Sequence, residues 1–224
     1  MDSSQYRDGL YGEQHLALQE DFETVKLAAA VHNNIVSQKI EEMHKAFIES
    51  RDMFFLSTID HRGYPTCSYK GGDRGFIKVI DEKTLAFPSY DGNGMFLSMG
   101  NITRNRQVGM LLIDFEIPHR IRIHGKASID REDPLLAEYA GSELVVRVEI
   151  TELFVNCSRY IHRFKRVADS NYVPRHGAET RLPEWKRIDN LQEALPERDK
   201  HIAEALGGTI TPDEYEVLVR TGKA

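Results

Sequence analysis

Short strand patterns at close spacing between residues 53 and 155 constrain the fold of this chain more than any other feature. Asp60–Gly63 predicts a tight turn between the first two strands, and the strict alternation of Arg120–His124 is typical of a strand with one solvated face. About seven strands with one intervening helix favour a closed antiparallel barrel over a parallel sheet. The predicted strands are Phe54–Ile59, Tyr64–Lys70, Phe76–Ile80, Thr84–Phe87, Val108–Asp114, Arg120–His124 and Leu144–Val155.

A single glycine-rich loop, Ser89–Gly94, interrupts the strands and leads into a predicted helix over Met95–Ile102. A turn of this kind presents free backbone N–H groups and the positive end of the helix dipole, and both suit a phosphate. Gly92-Asn93-Gly94 is equally typical of an ordinary turn that needs positive φ. On the loop alone, both interpretations stay open.

Taken in order, these segments resemble the split-barrel flavoproteins of the pyridoxamine 5'-phosphate oxidase family. The resemblance covers roughly residues 40 to 167. It implies a mainly β (α+β) fold, an FMN-binding split β-barrel with N-terminal helices and an irregular C-terminal arm. It also implies a homodimer, with the flavin in a groove between the two barrels. The motifs that carry it are Phe54–Pro65, Ser68–Gly72, Gly92–Gly94, Gly100–Asn105, Val108–Leu112, Arg120–Ala127 and Asn156–His162.

The chain departs from the vitamin B6 oxidases at the groups that hold the FMN phosphate. In those enzymes an arginine on the second strand and a Ser-Arg-Lys cluster after the fourth bind the phosphate, and a late Trp and Arg-x-His hold the substrate. Here Ser68 stands at the strand position, and Gly92, Asn93 and Gly94 replace the basic cluster. We therefore expect the phosphate to be held with less side-chain charge or by other groups, and we do not expect vitamin B6 substrates.

The resemblance places one second-strand segment along the flavin ring. Lys70 is its best candidate for a charge beside the anionic reduced ring or the phosphate, because an ammonium acts as a compact cation. The alternative for Lys70 is a solvated lysine at the end of a strand. The segment consists of Ser68, Tyr69, Lys70 and Gly71.

The loop and the following helix add hydroxyl and amide groups for ribityl oxygens or phosphate, from Ser89, Tyr90, Asn93, Ser98 and Asn101. Ser98 and Asn101 lie one helical turn apart and can face one ligand, although Asn101 can also simply close the helix. Arg159 and His162 share a face if residues 160–166 are helical. The resemblance implies that this region approaches the flavin of the partner subunit. The alternative is that Arg159 forms a surface salt bridge.

No acid–base catalyst is recognisable, since the chain has no nucleophile elbow, no HExxH and no P-loop lysine. A flavin enzyme requires none of them, because hydride transfer belongs to the ring. The leading hypothesis is an FMN-dependent oxidoreductase acting on an unidentified small molecule, with NAD(P)H or oxygen as the second partner. The alternatives are a non-catalytic flavin- or haem-binding carrier or sensor, and an F420-dependent reductase.

Composition excludes several other classes. A net charge of −6 argues against nucleic-acid binding, and a local group of arginines is equally well explained by a solvated strand face. No stretch approaches the roughly 20 apolar residues of a membrane span, and Met1–Glu13 is polar, so we expect a cytoplasmic protein. Cys67 and Cys157 are expected to be reduced and buried, and no metal site is predicted. The arginines are Arg104, Arg106, Arg120 and Arg122.

The chain is predicted to form one structural domain in three parts: a helical segment at 1–50, the barrel at 51–167 and an arm at 168–224. Gln14–Ser50 predicts two helices with a break near Val31–Asn34. The second places an apolar stripe on one face, which is expected to pack on the barrel. A coiled-coil partner is the alternative. The stripe is Val36, Ile40, Met43 and Phe47.

Later segments predict short helices only. Asp133-Pro134 begins one, because proline is tolerated at the first helical position. Within the arm, Ile202–Leu206 and Asp213–Arg220 predict two more, the second capped by Thr211. The arm is expected to wrap over the dimer, with Trp185 as its anchor.

Overall fold

The computed structural model describes residues 9–224. Its helices are α1 Glu13–Asp21, α2 Val25–Ile35, α3 Glu42–Glu49, α4 Leu97–Arg104, α5 Ile202–Ala205 and α6 Pro212–Arg220. Its strands are β1 Val36–Ser37, β2 Met53–Ile59, β3 Pro65–Gly71, β4 Lys78–Val79, β5 Thr84–Tyr90, β6 Gln107–Asp114, β7 His119–Asp130 and β8 Ser142–Asn156. Short 3-10 turns lie at Pro134–Glu138, Glu184–Arg187, Asp189–Ala194 and Glu197–Asp199. All seven predicted strands are present, with shifted ends.

One sheet contains all eight strands, in the order β3-β2-β6-β7-β8-β5-β4, and β1 adds to the end of β8. The predicted α+β split-barrel fold is confirmed. The predicted closure of the barrel is wrong, because β3 and β4 end the path without pairing to each other. The chain between them turns at Phe76, whose N–H donates to Asp73 O (3.0 Å) instead of joining a ladder. This turn also reduces the strand predicted at Phe76–Ile80 to two residues.

The core lies inside the curved sheet and is filled from alternate strand positions, as period-two patterning requires. Phe54 is its aromatic centre, with Phe87 edge-on at 4.9 Å between ring centroids and Phe76 stacked at 5.9 Å. The aliphatic residues around them are fully buried. They include Leu56, Leu85, Leu112, Ile121, Ile123 and Leu153.

The amino-terminal helices differ from the prediction, and part of the predicted segment 1–50 lies outside the described residues. Three helices form instead of two, with the first break at Glu23, which has a left-handed backbone (φ 56°). The predicted stripe is not a helical face, because Val36 belongs to β1 and Met43 is 70% exposed. α3 begins only at Glu42 and buries His44 and Ile48 instead.

The chain folds into two compact units. The first runs to Leu136 and includes Glu143–Lys165; the second comprises Ala137–Ser142 and Arg166–Ala224. In the second unit α6 begins as predicted, since Thr211 Oγ1 accepts a hydrogen bond from the N–H of Glu214 (3.2 Å). The predicted short helices at Asp133-Pro134 and near Ile202 are also present, the former as a 3-10 turn.

The two cysteines do not form a disulfide, but the expectation that they are buried is wrong. Cys67 lies on the outer side of β3, opposite Ser57, and Cys157 follows the last residue of β8, so neither side chain reaches the core. Within residues 9–224, no helix is both long and apolar enough to cross a membrane.

Candidate functional site

A network of hydroxyl and amide groups attaches α4 to the hairpin of β2 and β3. Thr58 and Thr66 are opposite each other in the ladder, and their Oγ1 atoms lie 2.7 Å apart. The side-chain amide of Asn101 donates to both, at 3.0 and 3.3 Å. One helical turn earlier, Ser98 Oγ lies 2.9 Å from Ser68 Oγ. Five side chains of the hairpin and helix thus hydrogen-bond to one another in a mostly buried position.

The hairpin turn that sets this register is itself fixed by a carboxylate. Asp60 Oδ1 accepts the backbone N–H groups of Arg62 (2.8 Å) and Tyr64 (2.9 Å), and Oδ2 pairs with the Arg62 guanidinium. Burial raises the pKa of Asp60, but these bonds outweigh it and hold the pKa at about 2. Gly63 takes positive φ (90°), which the tight turn requires.

Lys70 lies on the same side of β3 as Thr66 and Ser68, opposite the fully buried Phe54. Burial lowers the pKa of its ammonium. Among the described residues its side chain has no hydrogen-bond or ion-pair partner. Lys70 is thus a half-buried cation without a counter-charge among the described residues.

The amino-terminal end of α4 lies toward Lys70. Because β3 runs from Thr66 to Ser68 to Lys70 while the α4 residues that contact it run from Asn101 to Ser98, the start of the helix continues in the direction of Lys70. α4 has no side-chain cap, and the N–H groups of its first turn have no side-chain acceptor in the described part of the chain. A helix start of this kind carries partial positive charge.

The loop before α4 has an unusual backbone. Phe96, at the N-cap position, is left-handed (φ 47°), a conformation that is uncommon for a bulky side chain and costs roughly 1–2 kcal/mol. Gly94 is also left-handed (φ 75°), while Asn93 Oδ1 accepts the N–H of Met95 (3.1 Å). The helix begins at Leu97, two residues later than predicted. Strain of this kind is concentrated at functional sites.

The remaining residues of the predicted ring segment face the other side of β3. Tyr69 is 62% exposed and packs edge-on against Phe55. Its ring covers Gly71 so closely that a Cβ there would lie 2.7 Å from the ring. Ser89 and Tyr90 are half-buried at the end of β5, where the chain enters the loop, and both have interaction partners within the chain.

Arg159 and His162 follow β8 in a segment without helix, so the face they were predicted to share does not form. Tyr160 is left-handed (φ 67°), which interrupts any helical run. The N–H of Arg159 donates to Cys157 Sγ (3.4 Å), and this bond, the Arg159 guanidinium and Arg120 lower the pKa of that thiol. The described contacts of Arg159 are with these neighbours and with the Tyr160 ring, not with the α4 network.

The sequence profile of the family described as Pyridoxamine 5'-phosphate oxidase matches residues 40–157, which is more than half of the 224-residue chain. The chain belongs to this family. The match ends at Cys157, so Arg159 and His162 lie beyond it, while Ser68, Lys70, the loop and α4 lie within it. A comparison with curated proteins found no match.

Similar solved structures include an FMN-binding protein from Syntrophomonas wolfei, 10% identical over 62% of this chain and 97% of its own, with a TM-score of 0.42. An F420 reductase is 18% identical over 51% of this chain and 98% of its own, with a TM-score of 0.40. The haem storage protein HutZ from Vibrio cholerae is 19% identical over 52% and 94%, with a TM-score of 0.39. These names cover three cofactors, so the ligand has to be argued from this chain's own residues.

Sequence reasoning within the family resemblance missed the two threonines of the network. Thr58 and Thr66 are the positions that hold Asn101, and neither belongs to a recognisable motif. Their signal is the hairpin register: counting outward from the Asp60–Gly63 turn places them opposite each other on the inward side. The left-handed Phe96 leaves no comparable trace in the sequence.

Proposed function

We propose that this member of the pyridoxamine 5'-phosphate oxidase family binds FMN at the end of β3 nearest α4 and acts as an FMN-dependent oxidoreductase on a small organic molecule. NAD(P)H or oxygen is the proposed second partner. The observation that supports the proposal is Lys70, which is half-buried and has no partner among the described residues. The start of α4, which has no side-chain cap, points toward it. Partial burial of a cation without a counter-charge costs free energy, and a bound anion offsets that cost.

The site contains the types of groups that bind the phosphate, ribityl chain and ring of a flavin. The first N–H groups of α4 and the loop at Asn93–Gly94 supply backbone donors for a phosphate, and they do so without the basic cluster of the vitamin B6 oxidases. Lys70 supplies the one side-chain charge, which suits either the phosphate or an anionic reduced ring. Ser89 and Tyr90 lie where the chain enters this loop and offer hydroxyl groups to the ribityl chain.

FMN, when bound, supplies the hydride-transfer chemistry, and the chain's own residues bind, orient and exclude water. Ser68, Ser98 and Asn101 are engaged with one another, so we assign them to holding α4 and its loop in place rather than to direct donation. This assignment explains why an arginine is absent at Ser68: the position holds the helix, and the cation is placed two residues later, at Lys70.

We also propose a homodimer that completes the site. Several large apolar side chains near the loop are half or more exposed. Exposed large apolar side chains that follow one another beside a ligand site are typical of an interface. Arg159 and His162, which do not contact the α4 network of their own chain, are then available to the partner's site. The exposed residues are Met95, Phe96 and Leu97.

The experiment is a visible spectrum and an FMN titration of the purified full chain. A two-band oxidised flavin spectrum is expected, whereas a deazaflavin spectrum or a Soret band would replace FMN with F420 or haem. Lys70→Met should weaken FMN binding about tenfold or more, because a hydrogen bond to a charged group contributes roughly 1.5–3 kcal/mol. Lys45→Met, at a half-buried lysine of α3, is the matched control and should leave binding unchanged.

Binding of riboflavin separates the two roles of Lys70. A smaller loss for riboflavin than for FMN assigns the ammonium to the phosphate, and an equal loss assigns it to the ring. Unchanged FMN affinity together with an unchanged flavin reduction potential in Lys70→Met would contradict the proposed site. Sedimentation that finds only the 25.6 kDa monomer with FMN bound would contradict the dimer.

A further inference from the structure

A second cationic site lies on the outer side of the sheet, between the β4–β5 turn and strands β7 and β8. It is a cleft of about 540 Å³, a size that accommodates a small metabolite. Among the described residues no aromatic side chain lines it, so residues 9–224 offer no surface there on which a flavin ring or a base would stack. The lining residues are Asp81, Glu82, Lys83, Thr84, Arg106, Lys126, Ser128, Arg147 and Glu149.

A bulge in the sheet shapes this cleft. The register of β7 and β8 shifts between His124 and Gly125, and Gly125 lies so close to β8 that a Cβ would be 2.6 Å from Glu149 O. Directly after the shift, Lys126 faces Glu149 across the ladder. Bulges re-aim side chains and are common beside binding sites.

Two of the three acidic residues that line the cleft have partners within the chain. Glu82 pairs with Lys39 (2.9 Å), and Asp81 Oδ1 accepts the N–H of Lys83 (2.8 Å). In contrast, the ammonium groups of Lys83 and Lys126 have no hydrogen-bond or ion-pair partner among the described residues. Among the described residues the lining carries four basic and three acidic side chains, so positive charge is in slight excess.

Two arginines of the cleft are oriented by hydrogen bonds within the protein. Arg106 donates from Nε to Ala127 O (3.1 Å), and this leaves its terminal nitrogens for another acceptor. Arg147 is held by the buried Asp133, through Nε at 2.5 Å and a terminal nitrogen at 3.0 Å. Anchored guanidinium groups of this kind are suited to phosphate, because little side-chain freedom remains to be lost on binding.

The cleft is separate from the proposed flavin site. Thr84 begins β5 in the cleft, while Ser89 lies near the other end of β5, next to the α4 loop. Five residues of extended strand span about 17 Å. A ligand held at Lys126 consequently does not touch Lys70 or the start of α4.

We infer that this cleft binds a phosphorylated polyol, such as a sugar phosphate. The ammonium and guanidinium groups of Lys83, Lys126 and Arg106 hold the phosphate, and Glu149, Thr84 and Ser128 bind the hydroxyl groups. A carboxylate among the cations accepts from hydroxyls but repels a second anion. This composition therefore favours one phosphate with neighbouring hydroxyls over a polyphosphate.

The test uses calorimetry on the full chain at low salt, with ribose 5-phosphate, ribose and inorganic phosphate as probes. Ribose 5-phosphate should bind, and ribose should show no binding at the same concentration. Lys126→Ala should weaken ribose 5-phosphate about tenfold, and Arg106→Gln should weaken it similarly, because each removes one charge-assisted contact. Lys26→Ala, at an exposed lysine of α2, should have no effect.

Glu149→Leu distinguishes the hydroxyl contacts from the phosphate contacts. It should weaken ribose 5-phosphate and leave inorganic phosphate unchanged or tighter, since a repelling carboxylate is removed. Absence of ribose 5-phosphate binding, or equal binding by the wild type and Lys126→Ala, would overturn the inference. None of these variants lies in the proposed flavin site, so unchanged FMN titrations show that any loss is confined to the cleft.

Discussion

The two cationic sites of this chain use charge in opposite ways. At the end of β3 a single ammonium, Lys70, is withdrawn from water beside neutral hydroxyls. In the cleft, Lys83 and Lys126 stay exposed next to carboxylates. A desolvated charge interacts strongly with one correctly placed partner. Solvated charges are screened, so the strength of binding depends on how many of them surround the ligand. The first site should therefore depend on position, and the second on ionic strength.

The largest expected effect tests whether position matters at β3. Asn101→Leu removes the amide that holds α4 and should lower the free energy of unfolding by about 1–3 kcal/mol, because a buried donor and its bonds are lost. FMN affinity should fall with it. Ser128→Ala in the cleft is the comparison and should change stability by less than about 0.5 kcal/mol. Urea unfolding measures the stability of both variants. Equal losses of unfolding free energy would show that the two sites do not differ in this respect.

Backbone conformation gives the next effect. Gly94→Val places a β-branched residue at φ 75° and should weaken FMN binding about tenfold, with a smaller loss for riboflavin, which lacks the phosphate. Gly92→Val is the matched control, because Gly92 lies in the same loop, has no positive φ and would place its Cβ in open space. If Gly94→Val weakens the binding of FMN and of riboflavin equally, the loop does not bind the phosphate.

The effect of salt on ligand affinity should also differ between the sites, by less than the effects of the substitutions above. Raising ionic strength tenfold should reduce ribose 5-phosphate affinity by about tenfold and FMN affinity by about threefold, since buried pairs are screened less than exposed ones. Titrations of the same preparation at two salt concentrations measure the ratio. An FMN affinity that falls as steeply as that of ribose 5-phosphate would show that Lys70 is solvated in the complex.

Each site also has a carboxylate–arginine pair, and the smallest effect concerns its titration. The pKa of Asp60 falls from 3.8 to about 2, and Arg147 lowers that of Asp133. Because both folded pKa values lie below the unfolded ones, the pairs stabilise the protein above about pH 4. For Asp60 this contribution disappears as the pH falls toward 2. Asp60→Asn should therefore flatten the stability profile between pH 4 and 2, and an unchanged acid slope would contradict this account of the turn.

The resemblance predicted the family, and the residues themselves predicted the seven strands and the position of the loop, because period-two patterning and turn residues are local signals. The proposed role of Lys70 stays a prediction, and only the structure shows that its side chain is half-buried. The amino-terminal helices were wrong because Val36 has a strand partner, Phe154, about 118 positions away, which no local stripe reveals.

The site was less predictable than the fold for a related reason. Ser98 and Asn101 were expected to face a ligand, and their spacing is correct, but their actual hydrogen-bond partners come from β2 and β3. Spacing along a helix shows which side chains share a face and not what that face meets. The cleft was invisible for the same reason, since Lys83, Arg106 and Lys126 come from three separate elements.

The open sheet has a consequence for handling the protein. β3 is an edge strand, and an edge with free N–H and C=O groups can pair with another molecule and start aggregation. Pro65 removes the first donor of this edge, and the Tyr69 ring lies across Gly71 at its end. The stretch left unprotected is the one that carries Ser68 and Lys70. If FMN binds there as proposed, FMN-free preparations should precipitate sooner on storage than FMN-loaded ones.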